Sequence, residues 1–309
     1  MRIRATVAAV SGALALSALA MPAAQADGSV SRADVAKVRE AAGQAASGKS
    51  AFSASAAAVA EPYVLDASFS NVKVNNGRSI VAGISGKLTV PITYTLTHAA
   101  DVDIAAEDFF TDVELYYGTT YIDSEFGLFG DDWASCKAVS TTVANCTQSI
   151  VISPSEDLFN ETAGKWKAFG YAVALNGQDF SSDDFDITKI GYVEKDGLAG
   201  PNLLRHSRLT VNATPEPVKK GNTITVTGKL TRANWDAGNY TGYASQPVKL
   251  QFRKNGTSTY TTLKTIKTTT KGDLKTTVKA NVDGYFRYVF AGTATTAALG
   301  SATDFIDVK

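Results

Sequence analysis

KLTVPITYTLT, residues 87–97, decides how this chain is read. Leu88, Val90, Ile92, Tyr94 and Leu96 alternate with Thr89, Pro91, Thr93, Thr95 and Thr97. A period of two puts the apolar set on one face of an extended strand and the polar set on the other, so the stretch predicts a half-buried antiparallel strand. Pro91 has no N–H to give to a ladder, which argues for an edge strand or a bulge. Asn75-Asn76-Gly77 just upstream is a turn signal, because Asn and Gly tolerate positive φ.

The same alternation recurs outward from this stretch. It is seen at Val113, Leu115 and Tyr117, and at Phe169, Tyr171, Val173 and Leu175, followed by the turn Asn176-Gly177. It breaks in DGLAGPNLLRHS and resumes past Arg208. There it runs through Ile224, Val226, Gly228 and Leu230, then Val248, Leu250 and Phe252, then Leu274, Thr276, Val278 and Ala280. Phe286, Tyr288 and Phe290 follow, with Asp283-Gly284 as a turn before them, and Ile306 and Val308 close the chain. Short strands at this spacing predict an all-β protein of two tandem β-sandwich domains, 61–207 and 208–309, each large enough for its own core.

The residues before 61 read differently. Arg2 and Arg4 precede an uncharged apolar run from Ala5 to Ala20, and Ala24-Gln25-Ala26 is an A-x-A cleavage site. Residues 1–26 therefore read as a secretory signal peptide. The apolar run is shorter than the roughly 20 residues that span a bilayer, and no other stretch is long enough, so no membrane span is expected. Residues 27–60 are rich in Ala, Ser and Gly and read as a spacer or pro-segment, partly helical or disordered. Ser31 with Asp34 three positions on forms a helix N-cap, but the apolar residues that follow are mostly alanine and can bury little. Gly43 to Ser50, GQAASGKS, matches the letters of a phosphate-binding loop, yet lacks the buried strand before it and the packed helix after it.

Cys136 and Cys146 stand ten positions apart, a spacing that suits a disulfide across a hairpin in an oxidising compartment. Metal-binding thiols are the alternative, but no second Cys/His pair completes such a site. The net charge of zero conceals a division. Residues 61–207 hold nine Lys/Arg against twenty-one Asp/Glu, a net −12, and residues 208–309 hold fifteen against six, a net +9. Asymmetry of this size concerns partners rather than fold. Lys249, Arg253, Lys264, Lys267, Lys271, Lys275 and Lys279 are interleaved with threonines, and alternation on strands is expected to gather them on one polycationic face. That face would bind an anionic cell-wall polymer, dock on the acidic module within or between chains, or only solubilise the sheet. Nucleic acid is not expected, for want of a motif and of the right compartment.

Catalysis is not expected. There are two histidines, His98 and His206, and neither lies in a nucleophile motif; no HExxH occurs. The acidic module carries three carboxylate groups: Glu107, Asp108, Asp112 and Glu114; Asp123, Glu125, Asp131 and Asp132; and Asp179, Asp183, Asp184 and Asp186. An extracellular hydrolase would need two of these set apart in a cleft. No cofactor is expected apart from a weak calcium site at Asp179, Asp183 and Asp184, which would make the chain a calcium-stabilised spacer. Trp235, Tyr240 and Tyr243 lie in NWDAGNYTGY among polar neighbours, where aromatics stack on a sugar, anchor a partner, or cover one end of a core.

PEPVKKGNTITVTGKLTRANW (215–235), QPVKLQFRKNGTSTYTTLKTIKT (246–268), VDGYFRYVFAGT (282–293) and TDFIDVK (303–309) resemble the immunoglobulin-like modules of secreted actinobacterial proteins. AGKWKAFGYAVALNG (163–177) is similar to the late strands of a more divergent such module, with Ala172 and Ala174 where antibody-type domains carry a cysteine. The resemblance implies two immunoglobulin-like sandwiches in an extracellular or wall-associated setting, and it implies no activity. The expectation is a secreted, non-catalytic binding or structural protein.

Overall fold

The structure is a computed structural model that describes residues 30–48 and 60–309; the expected signal peptide lies outside the described residues. The chain is built from β-strands. A helix, α1 (Arg32–Gly48), comes first. Ten strands follow: β1 (Tyr63–Val64), β2 (Ala67–Val74), β3 (Ile80–Ala82), β4 (Leu88–His98), β5 (Phe109–Tyr117), β6 (Phe126–Leu128), β7 (Ser135–Ser140), β8 (Val143–Ile152), β9 (Gly164–Ala174) and β10 (Gly191–Arg205). They form a four-stranded sheet, β2-β4-β8-β7, and a six-stranded sheet, β1-β10-β9-β5-β6, in which β3 also pairs with β10. Val90, Ile92, Leu96, Ile150 and Ile152 of the first sheet pack against Val113, Leu115, Trp166 and Ala168 of the second. Two sheets face to face over alternating inward residues, in this strand order, make an immunoglobulin-like sandwich.

The second sandwich uses β11 (Ser207–Leu209), β12 (Asn212–Thr214), β13 (Thr223–Asn234), β14 (Asn239–Gly242), β15 (Pro247–Lys254), β16 (Thr261–Lys267), β17 (Asp273–Lys279), β18 (Gly284–Phe290), β19 (Leu299–Gly300) and β20 (Asp304–Ile306). One sheet joins β11, β12, β14 and β17 to β13; the other runs β16-β15-β18-β19, with β20 also on β18. Ile224, Val226, Leu230, Leu274, Val248, Leu250, Phe286, Tyr288 and Phe290 fill the space between them. The chain passes from β10 to β11 through His206 alone.

Local chemistry accounts for several details. Asn176 and Gly177 take positive φ of 51° and 77°, as an Asn-Gly turn requires. Gly284 is needed for another reason: a Cβ there would lie 2.4 Å from the Phe252 ring. Pro91 corrects the edge-strand expectation, since β4 is central in its sheet. Its pairing with β2 stops at Ile92, so Pro91 is flanked on one side only, by Ser149 of β8, and its strand is locally an edge.

The helix before the first strand also departs from expectation. Ser31 and Asp34 cap it reciprocally, the Asp34 N–H donating to Ser31 Oγ and the Ser31 N–H to Asp34 Oδ2, each at 3.2 Å. The helix then docks on the outer face of the six-stranded sheet and buries Val35 and Val38. It was expected to bury little because its apolar residues are mostly alanine. Val35, Val38 and Ala42, flanked by Arg32 and Arg39, instead form one stripe at helical spacing. Gly43 to Gly48 lie in this helix, which replaces the loop a phosphate cradle needs; Lys49 and Ser50 are outside the described residues.

Candidate functional site

Cys136 and Cys146 are directly opposite on β7 and β8 and form a disulfide, Cα to Cα 4.0 Å. The bridge lies within one sheet, so it staples the β7–β8 hairpin and leaves the two sheets held by packing.

The seven cations of the basic module do not share a face. β15 and β16 belong to one sheet and β17 to the other, so alternation along each strand aims their side chains to opposite sides of the sandwich. Lys249 stands opposite Thr265, and Lys267 opposite Pro247, so Lys249, Arg253 and Lys267 point outward from one sheet. Lys275 and Lys279 point outward from the other, exposed on β17. Lys264 sits on the edge between them, where its ammonium donates to the Thr277 carbonyl at 2.6 Å, and Lys271 is exposed in the turn before β17. The outer face of β16-β15-β18 holds more than the lysines. The Arg287 guanidinium lies 3.7 Å from the Tyr260 ring centroid, and that of Arg253 lies 4.2 Å from Tyr285 and 5.5 Å from Tyr260. Arg287 also donates to Gln251 Oε1 at 2.9 Å. These three strands contain no acidic residue. The signal for Arg287 and Tyr285 was in the alternation of β18, but only the pairing of Arg253 with Tyr285 and of Gln251 with Arg287 brings them beside β15; Tyr260, just before β16, carried no such signal.

The three loop aromatics divide between structural tasks. Trp235 is buried and packs into the core of the first sandwich, its Nε1–H donating to the Gly83 carbonyl at 2.8 Å. Tyr240 joins the same cluster, and its hydroxyl meets His206 Nδ1 at 2.9 Å. Tyr243 packs edge-on against Phe290 in the second core, with Arg232 over its ring at 4.0 Å. Trp235 and Tyr240 therefore belong to the junction of the two sandwiches and present no aromatic patch. Asn160 completes that junction: it donates to Asp236 and Asn234 and accepts from the Trp235 N–H at 3.0 Å. Arg205, also buried there, donates from Nε to the Ala233 carbonyl at 2.5 Å. Burial and the neighbouring Arg232 pull its pKa down to about 10. Burial, helped by Arg208, likewise lowers His206 below the ordinary histidine value.

Of the acidic groups, Asp179 accepts from the N–H and Oγ of Ser181, at 2.8 and 2.7 Å, and Asp184 N donates to Ser182 Oγ at 3.1 Å. Asp179, Asp183 and Asp184 do not converge, and among the described residues no three His, Cys, Asp or Glu side chains are grouped to hold a metal. Asp131, Glu156 and Asp157 line a cleft with Lys87, of about 170 Å³, below the roughly 300 Å³ at which small-molecule sites begin. His98 is buried at the end of β4 with Nδ1 2.9 Å from the Ala99 carbonyl.

Of the first carboxylate group, Asp112 and Glu114 do come together, but under a helix that was not expected to cover them. Both point from β5 to the outer face of the six-stranded sheet, among Tyr116, Tyr121, Phe169, Tyr171 and Tyr192, and α1 covers them. Arg32 of the helix pairs with Asp112 and reaches within 3.9 Å of Glu114. Its guanidinium lies 4.6 Å from the Trp133 ring and donates to the carbonyls of Asp131 and Asp132. Tyr121 and Tyr171 donate to the two oxygens of Glu114 at 2.6 and 3.2 Å. Two helical turns further on, Arg39 lies over Tyr121 at 4.9 Å. Burial pushes the Asp112 carboxyl up to about 6, against the pull of Arg32 and in step with the nearby charge of Glu114. Gln148, reaching across from β8, bonds Asp112 and both the N–H and the carbonyl of Val113, at 3.0 and 2.9 Å. It closes the edge of β5 where β6 does not reach.

No protein-family model matches the chain, and no curated protein matches it. Among solved structures it is similar to fibronectin(III)-like modules of Clostridium thermocellum CbhA, at 11% identity over 77% of this chain and 92% of that one, with a TM-score of 0.28. It is also similar to domains A168–A170 of titin (9% identity, 79% and 67% covered, TM-score 0.23). The full ectodomain, Ig1–Ig3, of mouse nectin-like molecule 4 is a third such likeness (11%, 84% and 71%, TM-score 0.24). Likenesses this faint carry no argument, and the class of the fold rests on the strand pairing alone: the chain is an immunoglobulin-like β-sandwich protein with one intra-sheet disulfide. Among the described residues no helix is long and apolar enough to cross a membrane.

Proposed function

We propose that this chain is a secreted, non-catalytic binding protein of the cell surface, built of two tandem modules, whose basic C-terminal module contacts an anionic wall polymer. The observation that carries the reading is the outer face of β16-β15-β18. It is free of acidic residues on its three strands, and it carries Lys249 and Lys267 together with Arg253 and Arg287, whose guanidiniums lie over Tyr260 and Tyr285. Cations held over aromatic rings meet anionic and sugar groups together, the first by charge and the second by stacking. Docking of these cations on the acidic module of the same chain finds no support. The junction is made by Trp235, Tyr240, Asn160 and Arg205, and among the described residues none of the seven cations pairs with a carboxylate of the first sandwich. The hydrolase alternative loses its best pair of acids to Arg32 and the covering helix. A disulfide in a chain with a signal-like N-terminus fits an oxidising, extracellular setting.

The test is sedimentation with purified cell-wall sacculi at low and high salt. Wild type should pellet at low salt and be released at high salt, as screened surface charges require. Lys249→Glu with Lys267→Glu should weaken binding about tenfold or more, while Lys275→Glu with Lys279→Glu should weaken it by less than about threefold. Equal loss in both pairs would put the contact on charge alone rather than on this face, and no pelleting of wild type would remove the polymer from the proposal.

A further inference from the structure

The groove beneath α1 has the features of a recognition site. Its floor is six-stranded sheet carrying Tyr116, Phe169, Tyr171, Val173 and Tyr192, and its recognition groups are two carboxylates, Asp112 and Glu114. What it recognises is written in its occupant: an arginine paired with the acids and stacked on Trp133, Val35 and Val38 in the apolar floor, and a second arginine seven positions on over Tyr121. The contacts are made by helix side chains, and α1 adds no strand to the sheet. Residues 49–59 tie the helix to the sandwich. Eleven residues reach at most about 36–40 Å when extended, enough to carry a helix to a neighbouring molecule.

We propose that the groove is a receptor for an arginine-bearing amphipathic helix, and that its partner in trans is α1 of a second copy of this chain. Every contact the helix makes in the closed chain is kept in the exchanged pair, so the two forms differ only in the path of the tether and in concentration, the conditions under which helix exchange links copies at low cost. The charge arrangement selects the partner: a helix without a cation at the Arg32 position would leave Asp112 buried and uncompensated.

Complementation between two full-length variants tests this. Val38→Asp spoils the helix and leaves the groove intact; Asp112→Asn with Glu114→Gln spoils the groove and leaves the helix intact. Each alone should be monomeric by light scattering, and their mixture should form a 1:1 dimer. A labelled peptide of residues 30–48 should bind the Val38→Asp chain at least about tenfold more tightly than wild type, whose own helix competes, and should displace the second chain from the dimer. Arg32→Glu replaces Val38→Asp if that chain does not fold. Failure of the peptide to bind either helix-spoiled chain, with its melting still cooperative, would overturn the receptor groove. Peptide binding without dimer formation on mixing would overturn the second copy as its partner.

Discussion

Replacing Arg32 by methionine separates the charge of the helix contact from its packing. Methionine keeps an unbranched side chain against Trp133 and removes the guanidinium. In the wild type, Asp112 is fully buried and its carboxyl is raised to about 6, above the ordinary carboxylate value of 3.8. A folded-state value above the unfolded one means that the native state binds the extra proton. Its contribution to stability is therefore present below about pH 4 and is lost as pH rises through about 6. Arg32 limits that loss, because its charge holds the carboxyl down. Without it the loss continues to higher pH, at about 1.4 kcal/mol per pH unit. At pH 5 the carboxyl is largely protonated in both proteins, and the substitution should cost about 1–3 kcal/mol, from the cation–π contact and the charged hydrogen bonds to the Asp131 and Asp132 carbonyls. Between pH 6 and 8 the difference should grow by about 2 kcal/mol if the freed carboxyl titrates above 8, since the wild-type carboxyl is itself half protonated at pH 6.

The growth has a ceiling. If holding Asp112 under the helix costs more than docking returns, α1 leaves the sheet and water reaches the carboxylate. Urea unfolding at pH 5, 6.5 and 8, with amide exchange read over residues 32–43, distinguishes the two routes. Either the whole fold loses stability as pH rises, or the helix amides lose protection while the midpoint holds. A cost independent of pH, or larger at pH 5 than at pH 8, would refute the assignment of Arg32 as the counter-charge of a buried Asp112.

Other residues carry their own expectations. Trp235→Ala should cost about 3–5 kcal/mol of coupling, seen in calorimetry as the splitting of one transition into two, because it empties a site in the core of the first sandwich and frees the Gly83 carbonyl. Cys136→Ser with Cys146→Ser should lower stability by about 2–3 kcal/mol in denaturant unfolding, and reductant should then have no further effect, since the described residues hold no free cysteine. Gln148→Leu should cost about 1–3 kcal/mol by the same assay, because it takes the Gln148 donor from the Val113 carbonyl at the edge of β5 and from the buried Asp112 carboxylate while keeping the volume filled.

How much of this was legible follows from the range of each signal. The strands were legible because alternation is local: Leu88 to His98 shows inward and outward residues in turn, as its period requires. The disulfide was legible for the same reason. Which strands share a sheet is not local. β16 and β17 are neighbours in sequence but lie in different sheets, and that alone scattered the seven cations. That Trp235 covers a core was one of the open readings, but which core was not legible, because its partner, Gly83, lies 152 positions away. In β5, Phe110, Asp112, Glu114 and Tyr116 occupy the positions that in a half-buried strand would face water; α1 covers them, so polarity stopped reporting exposure. The clue lay in the helix, where Arg32, Val35, Val38, Arg39 and Ala42 share one face, but a face made of two valines and an alanine was too small to announce a contact that the arginines complete.

The junction also bears on how the divided charge acts. Trp235, Tyr240, Asn160 and Arg205 tie the sandwiches together without using the cations of β15, β16 and β17, so the net −12 of residues 61–207 and the net +9 of residues 208–309 are not consumed against each other. At physiological salt a charge is felt over about 8 Å, so the division matters only in contact. On the proposed reading a polyanion that meets the β16-β15-β18 face is attracted there and repelled by the first sandwich, and contact is confined to one module. The acidic residues under α1 then stay reserved for the one cation shaped to reach them, because a guanidinium carried on a helix brings the apolar residues that fill the floor, whereas a mobile cation would leave that floor exposed to water.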